Sequence, residues 1–560
     1  MTTTWLPRSI VMTLLAIGLA SAGPDGNSQA AALPPLQAGA APKLVVILVM
    51  DQFRADYVDM YSPRWTSGLR RLLREGAVFT RAAYNYGGTL TCAGHATIGT
   101  GAFPATHGMT GNAWYDRTTR RVVQCAADPA ATSVPFGGAT GRERYSAANL
   151  RIPTYSDELQ RQAAGGPRVV ALALKPRSAI MLGGRGDDDS VVVWEEDDGT
   201  WATSDAFTKT PWPDVDEFVR AHPLAAAYGE SWTKMRPPQT YRFTDDAVGE
   251  GQPGGWTRMF PHPLDSAAGK PDGVFVSRWE RSPWSDEYLV DMAIHLVETR
   301  QLGRRQATDF LSISLPALDL VGHEYGPNSH EVQDVLARAD RAIGKLLDAL
   351  DDKVGEGRYT LGFSSDHGVA TIPEQLAARG QSAGRVVTNE ITRAVEATVA
   401  KYLGPGTYVG RLEGMQLSLT PGTVDRLRET AGALDAVRDA IQQVNGISRV
   451  HGPDEVQGSG ATDDETLRAW RLSYAPGRSG DFMLTPEPNW LIRGGTGTTH
   501  GTPHEYDRRV PVMLFGAGIR RGSYSSAATP ADIVPTFAAL TGVTLSHANG
   551  RALTEALARR

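Results

Sequence analysis

Five short runs of this sequence are apolar almost without alternation, and this restricts the fold more than any other feature. They are residues 44–50 (LVVILVM), 169–174 (VVALAL), 310–314 (FLSIS), 359–364 (YTLGFS) and 510–515 (VPVMLF). A strand with one wet face alternates apolar and polar residues. A run without alternation has to be covered on both faces, as strands of a parallel sheet are. Helical periodicity separates the runs. Val332, Val335, Leu336, Ala339, Ile343, Leu346, Leu347 and Leu350 recur at three- and four-residue spacing and form one apolar stripe. Near the C-terminus, 530–540 reads as another helix, with Thr529 as its cap and Pro530 in its first turn. Strand and helix in repetition predict an α/β fold, three layers deep, with a mostly parallel central sheet.

Two stretches break the rhythm and are read as insertions. Residues 190–285 hold Trp194, Trp201, Trp212, Trp232, Trp256, Trp279 and Trp284 among prolines and aspartates. These rings could line a sugar-binding face; a small packed core is the preferred reading. Residues 372–489 form a second insertion, a cap, with helices of its own such as 424–444. The catalytic core is then 43–189, 286–371 and 490–560.

Residues 1–22 have the pattern of a secretory signal peptide. A short N-terminal stretch carries Arg8, residues 10–20 are apolar, and Ala20-Ser21-Ala22 precede Gly23. The apolar run is shorter than the ~20 residues of a membrane span. Residues 23–42, rich in Ala, Pro, Gly and Gln, read as a disordered linker outside the fold. A periplasmic or extracellular location follows. The only cysteines, Cys92 and Cys125, could pair there or remain as two buried thiols. The net charge of −6 argues against general nucleic-acid binding, which needs basic patches.

Chemistry-bearing residues gather at the strand ends. Asp51 ends the first run, where open α/β sheets bind ligands. Asp319 and His323 follow the third run, one helical turn apart and so on one face. Asp366 and His367 follow the fourth run. His500 lies in a Gly/Thr-rich loop before the fifth. Three aspartates and three histidines suit zinc, which takes mixed N and O ligands. Three carboxylates and a threonine alkoxide would balance two such ions.

The alkoxide candidate is Thr91, in 87–97 (GGTLTCAGHAT). Small residues let the backbone approach a ligand, and a helix beginning there would point its positive end at an anion. Thr89 and Thr97 are alternative hydroxyls, and His504 is a rival to His500. His95 and His107 read as structural. Asp187, Asp188 and Asp189 could bind calcium, although a solvated loop is the plainer reading.

Taken in order, these motifs resemble the alkaline phosphatase superfamily. They are Asp51, the loop Thr91-Cys92-Ala93-Gly94-His95, 319–328 (DLVGHEYGPN), Asp366-His367-Gly368 and Thr499-His500-Gly501, with Tyr506-Asp507 and Val510-Pro511. The similarity runs from about residue 42 to 553. It is greatest to the secreted bacterial alkaline phosphatases of the PafA and PhoK type, which use threonine.

The resemblance implies the superfamily's α/β/α sandwich and phosphate monoester hydrolysis through a phosphothreonine. It implies two zinc ions, one held by Asp319, His323 and His500, the other by Asp51, Asp366, His367 and Thr91. It also implies phosphate contacts from Asn112, Lys175 and Arg177. The partners expected are small phosphate monoesters, with neither nucleic acid nor membrane, and the chain is expected to act as a monomer. The nearest alternative is a type I phosphodiesterase or nucleotide pyrophosphatase of the same superfamily. A metal-bound surface protein without catalysis is the alternative from another class.

Overall fold

The structure is a computed structural model that describes residues 1–2, 41–187 and 190–558. The expected signal peptide and nearly all of the linker lie outside the described residues, as do Asp188 and Asp189. The chain divides into units 1–35 and 36–560, and the second holds all the secondary structure described.

Ten strands form one sheet. In chain order they are β1 (Leu44–Met50), β2 (Ala77–Ala82), β3 (Ser133–Pro135), β4 (Val169–Ala173), β5 (Ser190–Glu195), β6 (Trp201–Ser204), β7 (Asp309–Leu315), β8 (Tyr359–Ser364), β13 (Val512–Gly516) and β14 (Gly522–Ala528). A separate four-stranded antiparallel sheet comprises β9 (Val409–Glu413), β10 (Gln416–Leu419), β11 (Ile447–His451) and β12 (Phe482–Pro486). The helices that bear on function are α1 (Thr91–Thr100), α2 (Pro176–Gly183), α3 (Pro283–Thr299), α4 (Ala317–Tyr325), α5 (His330–Leu350), α6 (Glu465–Ser473) and α7 (Ile533–Thr541).

The large sheet runs β14-β2-β13-β8-β1-β7-β4-β5-β6-β3. Its centre, β8-β1-β7-β4-β5, is parallel. The strand β1 shows why the apolar runs do not alternate. Leu44, Val46, Leu48 and Met50 enter the core on one face, and Val45, Ile47 and Val49 enter the core on the other. The predicted stripe of α5 packs into the first of these cores.

Three expectations need correction, and a fourth is refined. The run 510–515 does give a buried strand, but β13 is antiparallel to both β8 and β2. Burial on two faces is common to central strands of either direction, so composition could not tell them apart. Residues 190–204, assigned to the first insertion, instead form β5 and β6 of the central sheet. The helix expected over 424–444 is two helices, Thr423–Arg428 and Ala433–Gln442, interrupted at Gly432, whose φ of 77° leaves the helical region. The C-terminal helix starts with a short 3₁₀ turn, Pro530–Asp532, where the Asp532 carboxylate accepts the Thr529 N–H.

The tryptophans of the first insertion pack inward. Trp201, Trp232, Trp256 and Trp279 are buried in the core beneath α3 and α5, and Trp194 lies in a third core beside α2. Residues 372–489 carry the four-stranded sheet and a hydrophobic core of their own.

Candidate active site

The parallel strands β1, β7 and β8 end side by side, with Met50 opposite Leu315 and Val49 opposite Ser364. The residues just past these ends therefore meet above the sheet. Asp51 follows β1, and its N–H donates to Leu315 O at 3.0 Å. Asp366 and His367 follow β8. On α4, Asp319 and His323 lie one turn apart, with Oδ1 and Nε2 separated by 3.3 Å. His500 arrives from the loop before β13 and stacks on His367, ring centroids 3.4 Å apart.

Among the described residues, ligand-type atoms cluster twice, in Asp319, His323 and His500 and in Asp51, His95 and Asp366, each set within 4.8 Å. The first is the predicted group. The second contains His95 in place of His367, and the hydrogen bonds decide between the two. Nδ1 of His323, His367 and His500 faces the carbonyl of Thr498, Gly368 and Thr89 at 3.0, 3.0 and 2.8 Å. An imidazole in that setting carries its proton on Nδ1, so Nε2 keeps a lone pair for a cation. His95 has both nitrogens engaged, Nδ1 with Thr91 O at 2.9 Å and Nε2 with Ser314 Oγ at 2.8 Å. His95 thereby braces α1 against β7, whereas His367 Nε2 lies 3.0 Å from Asp366 Oδ2 and 3.5 Å from Thr91 Oγ.

The carboxylates also fit cations. Asp366 Oδ1 accepts the Gln52 N–H at 3.0 Å, while its buried Oδ2 lies 3.0 Å from His367 Nε2. Lys175 Nζ lies 2.9 Å from Asp51 Oδ2 and 2.6 Å from Asp319 Oδ2, bridging the two groups. Burial would raise the pKa of both carboxyls, but Lys175, aided by His95 at Asp51 and His323 at Asp319, holds them well below the usual range. Burial, reinforced by His367 and His323, pushes the His500 imidazole far down, which keeps it neutral.

Thr91 is the first residue of α1, and its Oγ lies 3.5 Å from His367 Nε2. A Cβ on Gly94 would come within 2.3 Å of Asp366 O, so only glycine lets α1 approach the end of β8 this closely. Asn112 accepts the Cys92 N–H on Oδ1 at 2.9 Å, which leaves its Nδ2–H2 as a donor. Cys92 and Cys125 form a disulfide, and the Cys125 N–H donates to Asn112 O at 2.9 Å. Lys175 caps α2 and Arg177 lies in its first turn, with Nε buried and unpartnered.

The rival residues have other partners. Thr97 Oγ bonds Tyr86 and His107, Thr89 Oγ reaches Thr502 O, and His504 Nε2 faces Pro486 O. Asp187 is tied to Gln160 and Ser190.

Several neighbours escaped the sequence reading. Ser314 Oγ donates to Asp51 Oδ1 at 2.7 Å. Ser365 Oγ accepts the Phe53 N–H and donates to His367 O, both at 2.8 Å. Serines at the ends of otherwise apolar strands were the available signal. Ser473, at the end of α6, accepts the N–H groups of Gly87 and Gly88 at 3.0 and 3.1 Å. Nothing in the sequence links α6 to that loop.

Comparison with known proteins agrees with this geometry. The family model of type I phosphodiesterases / nucleotide pyrophosphatases matches residues 45–507. The alkaline phosphatase PafA of Elizabethkingia meningoseptica is 30% identical over 532 residues, covering 92% of this chain and 95% of that protein. A protein of Myroides odoratus named a calcium-transporting ATPase is also 30% identical, over 92% of this chain and 95% of its own length. Among the described residues, no helix is long and apolar enough to cross a membrane. The crystal structure of wild-type alkaline phosphatase PafA superposes with a TM-score of 0.84 at 28% identity, covering 94% of this chain and all of that one. The chain belongs to the type I phosphodiesterase / nucleotide pyrophosphatase family, within the alkaline phosphatase superfamily.

Proposed function

We propose that the chain is an exported, zinc-dependent alkaline phosphatase that hydrolyses phosphate monoesters through a phosphothreonine at Thr91. The observation that carries this reading is the place of Thr91 Oγ, at the start of α1 and 3.5 Å from the Nε2 lone pair of His367. Asp319, His323 and His500 would hold one ion, and Asp51, Asp366, His367 and Thr91 the other. The donor set fits zinc: three imidazole nitrogens with fixed tautomers and three buried carboxylates. When bound, the ions supply the positive charge that lowers a hydroxyl's pKa and offsets charge building on phosphate oxygens.

The chain's own groups do the rest. Thr91 Oγ gives up its proton and forms a bond to phosphorus as the ester P–O bond breaks. The alcohol departs with a proton. Water then breaks the Thr91 Oγ–P bond, releasing phosphate and returning the proton to Thr91. The Asn112 Nδ2–H2 and the Arg177 guanidinium serve as donors to the equatorial oxygens. Lys175 adds a cation between the two ligand groups. The N–H groups that open α1 favour an anion at the same place.

A monoester is favoured over a diester because it carries one more charged oxygen, which Lys175 and the fork-shaped Arg177 would meet. The family matched by the chain is described by its diesterases, so the two classes have to be assayed side by side. Arg177→Ala is expected to lower aryl monoester hydrolysis about 10²–10³-fold and diester hydrolysis far less. Thr91→Ala is expected to abolish turnover while retaining bound zinc, and acid quenching of the wild type is expected to trap phosphate on Thr91. Full activity in Thr91→Ala would refute the covalent route. Export, by cleavage after the N-terminal apolar segment, agrees with the Cys92–Cys125 bridge, since disulfides persist in oxidising compartments.

A further inference from the structure

We infer that Gln52 is a positioning residue that sets the spacing of the two metal groups; the inference rests on the metal reading above. Gln52 sits between Asp51 and the turn into the next helix and is fully buried. It makes one bond to each ligand group. Its backbone N–H donates to Asp366 Oδ1 at 3.0 Å, and its Nε2 donates to Asp319 Oδ1 at 2.7 Å. With Lys175 on Asp319 Oδ2, both oxygens of that carboxylate are held. At Asp366 the bond turns the other oxygen, Oδ2, toward His367 Nε2, 3.0 Å away. One residue thus orients a carboxylate in each group.

The structure keeps Gln52 against two local penalties. Its φ is 65°, a left-handed conformation that few residues other than glycine adopt. Its Oε1 is buried without a partner. Space has been made for the side chain as well, because a Cβ on Gly322 would lie 1.9 Å from Gln52 Oε1. Gly322 lies in α4 between the ligands Asp319 and His323. Strain of this kind persists where surrounding contacts over-determine it, and here those contacts are the ligand carboxylates. Gln52 adds no charge, so it can orient the carboxylates without competing for them as a cation would.

The test is zinc affinity of the metal-stripped mature protein, measured by competition with a chromophoric chelator. It compares wild type, Gln52→Gly and Gln52→Met, with thermal unfolding of the stripped proteins alongside. Gln52→Gly suits the left-handed backbone and removes only the side-chain bond; Gln52→Met keeps the length and loses the donor. Zinc dissociation constants about 10–100-fold higher are expected in both variants. The stripped Gln52→Gly protein is expected to melt with the wild type. Wild-type affinity in both variants would overturn the role of Gln52. Asp319→Ala serves as the control: two ions at full affinity there would overturn the metal reading itself. A zinc-deficient Asp319→Ala beside a normal Gln52→Gly would overturn only the role of Gln52. If Gln52→Met fails to fold, Gln52→Gly alone decides.

Discussion

Lys175→Met should have opposite effects on the stripped and the metal-loaded protein. In the structure the ammonium lies 2.6 and 2.9 Å from two carboxylate oxygens whose side chains are at most 4% exposed. Removing one partner of a buried ion pair costs about 3–5 kcal/mol, because the other charge is left uncompensated. The two pairs share one cation, so their losses do not add. The stripped variant should therefore be about 3–5 kcal/mol less stable. With an unfolding entropy of ~2.1 cal/mol/K per residue over about 500 residues, that lowers the melting temperature by roughly 3–5 °C. Zinc should reverse the order, since Asp51 and Asp319, freed from Lys175, offer their full charge to the ions. Melting curves in chelator and in excess zinc, with a zinc competition titration, read both effects. A stripped Lys175→Met protein that melts at or above the wild type would refute the pairing. Unchanged zinc affinity would refute the competition between lysine and metal for the same oxygens.

Three other perturbations test the surroundings of the site. The Cys92–Cys125 bridge closes a separation of 33 residues, which the chain-entropy relation converts to about 3.7 kcal/mol. Cys125→Ala should lose about that much stability, and reductant should reproduce the loss in the wild type but not in the variant. Asp286 accepts the Ala317 N–H at the start of α4, and burial pushes its carboxyl from 3.8 to about 8. Between those values the native state holds a proton that the unfolded chain has released. Stability should therefore fall as pH rises, by up to ~1.4 kcal/mol per unit. Asp286→Asn should flatten that slope and be the more stable protein above pH 8; an unchanged slope in urea unfolding would remove Asp286 as its source. Ser473→Ala leaves the Gly88 N–H short of an acceptor, at about 1–3 kcal/mol, while the Gly87 N–H keeps Ala469 O at 3.1 Å. It should lower kcat more than it raises KM, and an unchanged kcat would release Ser473 from any part in holding the loop.

The central sheet was legible because β1, β7 and β8 are buried on both faces, and no other arrangement tolerates such runs. All six predicted ligand residues meet at the ends of these strands, where side chains distant in sequence must converge. What escaped depends on geometry that composition does not carry. Direction is one case, since β13 runs antiparallel while looking like its parallel neighbours. Backbone conformation is another. Gln52 adjoins the predicted ligand Asp51, yet its left-handed φ and its bond to Asp319 become visible only in three dimensions. Contacts between distant segments are a third, as with Ser473 against Gly87 and Gly88, 386 and 385 positions away.

These escaped residues share a physical logic. The candidate ligands bring three negative charges into a buried space, and the one lysine bridging them partly offsets the charge. Further cations at that depth would compete with metal for the same oxygens. Beside Lys175, orientation is carried by neutral groups. Ser314 holds Asp51, Gln52 holds Asp319 and Asp366, and Ser365 holds the turn at His367. The loop that leads to Thr91 is treated the same way, from a different part of the chain. Ser473 takes the N–H groups of Gly87 and Gly88, while Gln416 on β10 donates to Thr110 O, two residues before Asn112. Both residues lie within 372–489, and Arg478 of the same insertion donates to Gly108 O at 2.8 Å, so the insertion reaches the loops of Thr91 and Asn112 through neutral and charged donors. Lys175 thus joins charge to geometry, whereas Ser314, Gln52 and Ser365 act on geometry alone and can be substituted while the charge is kept.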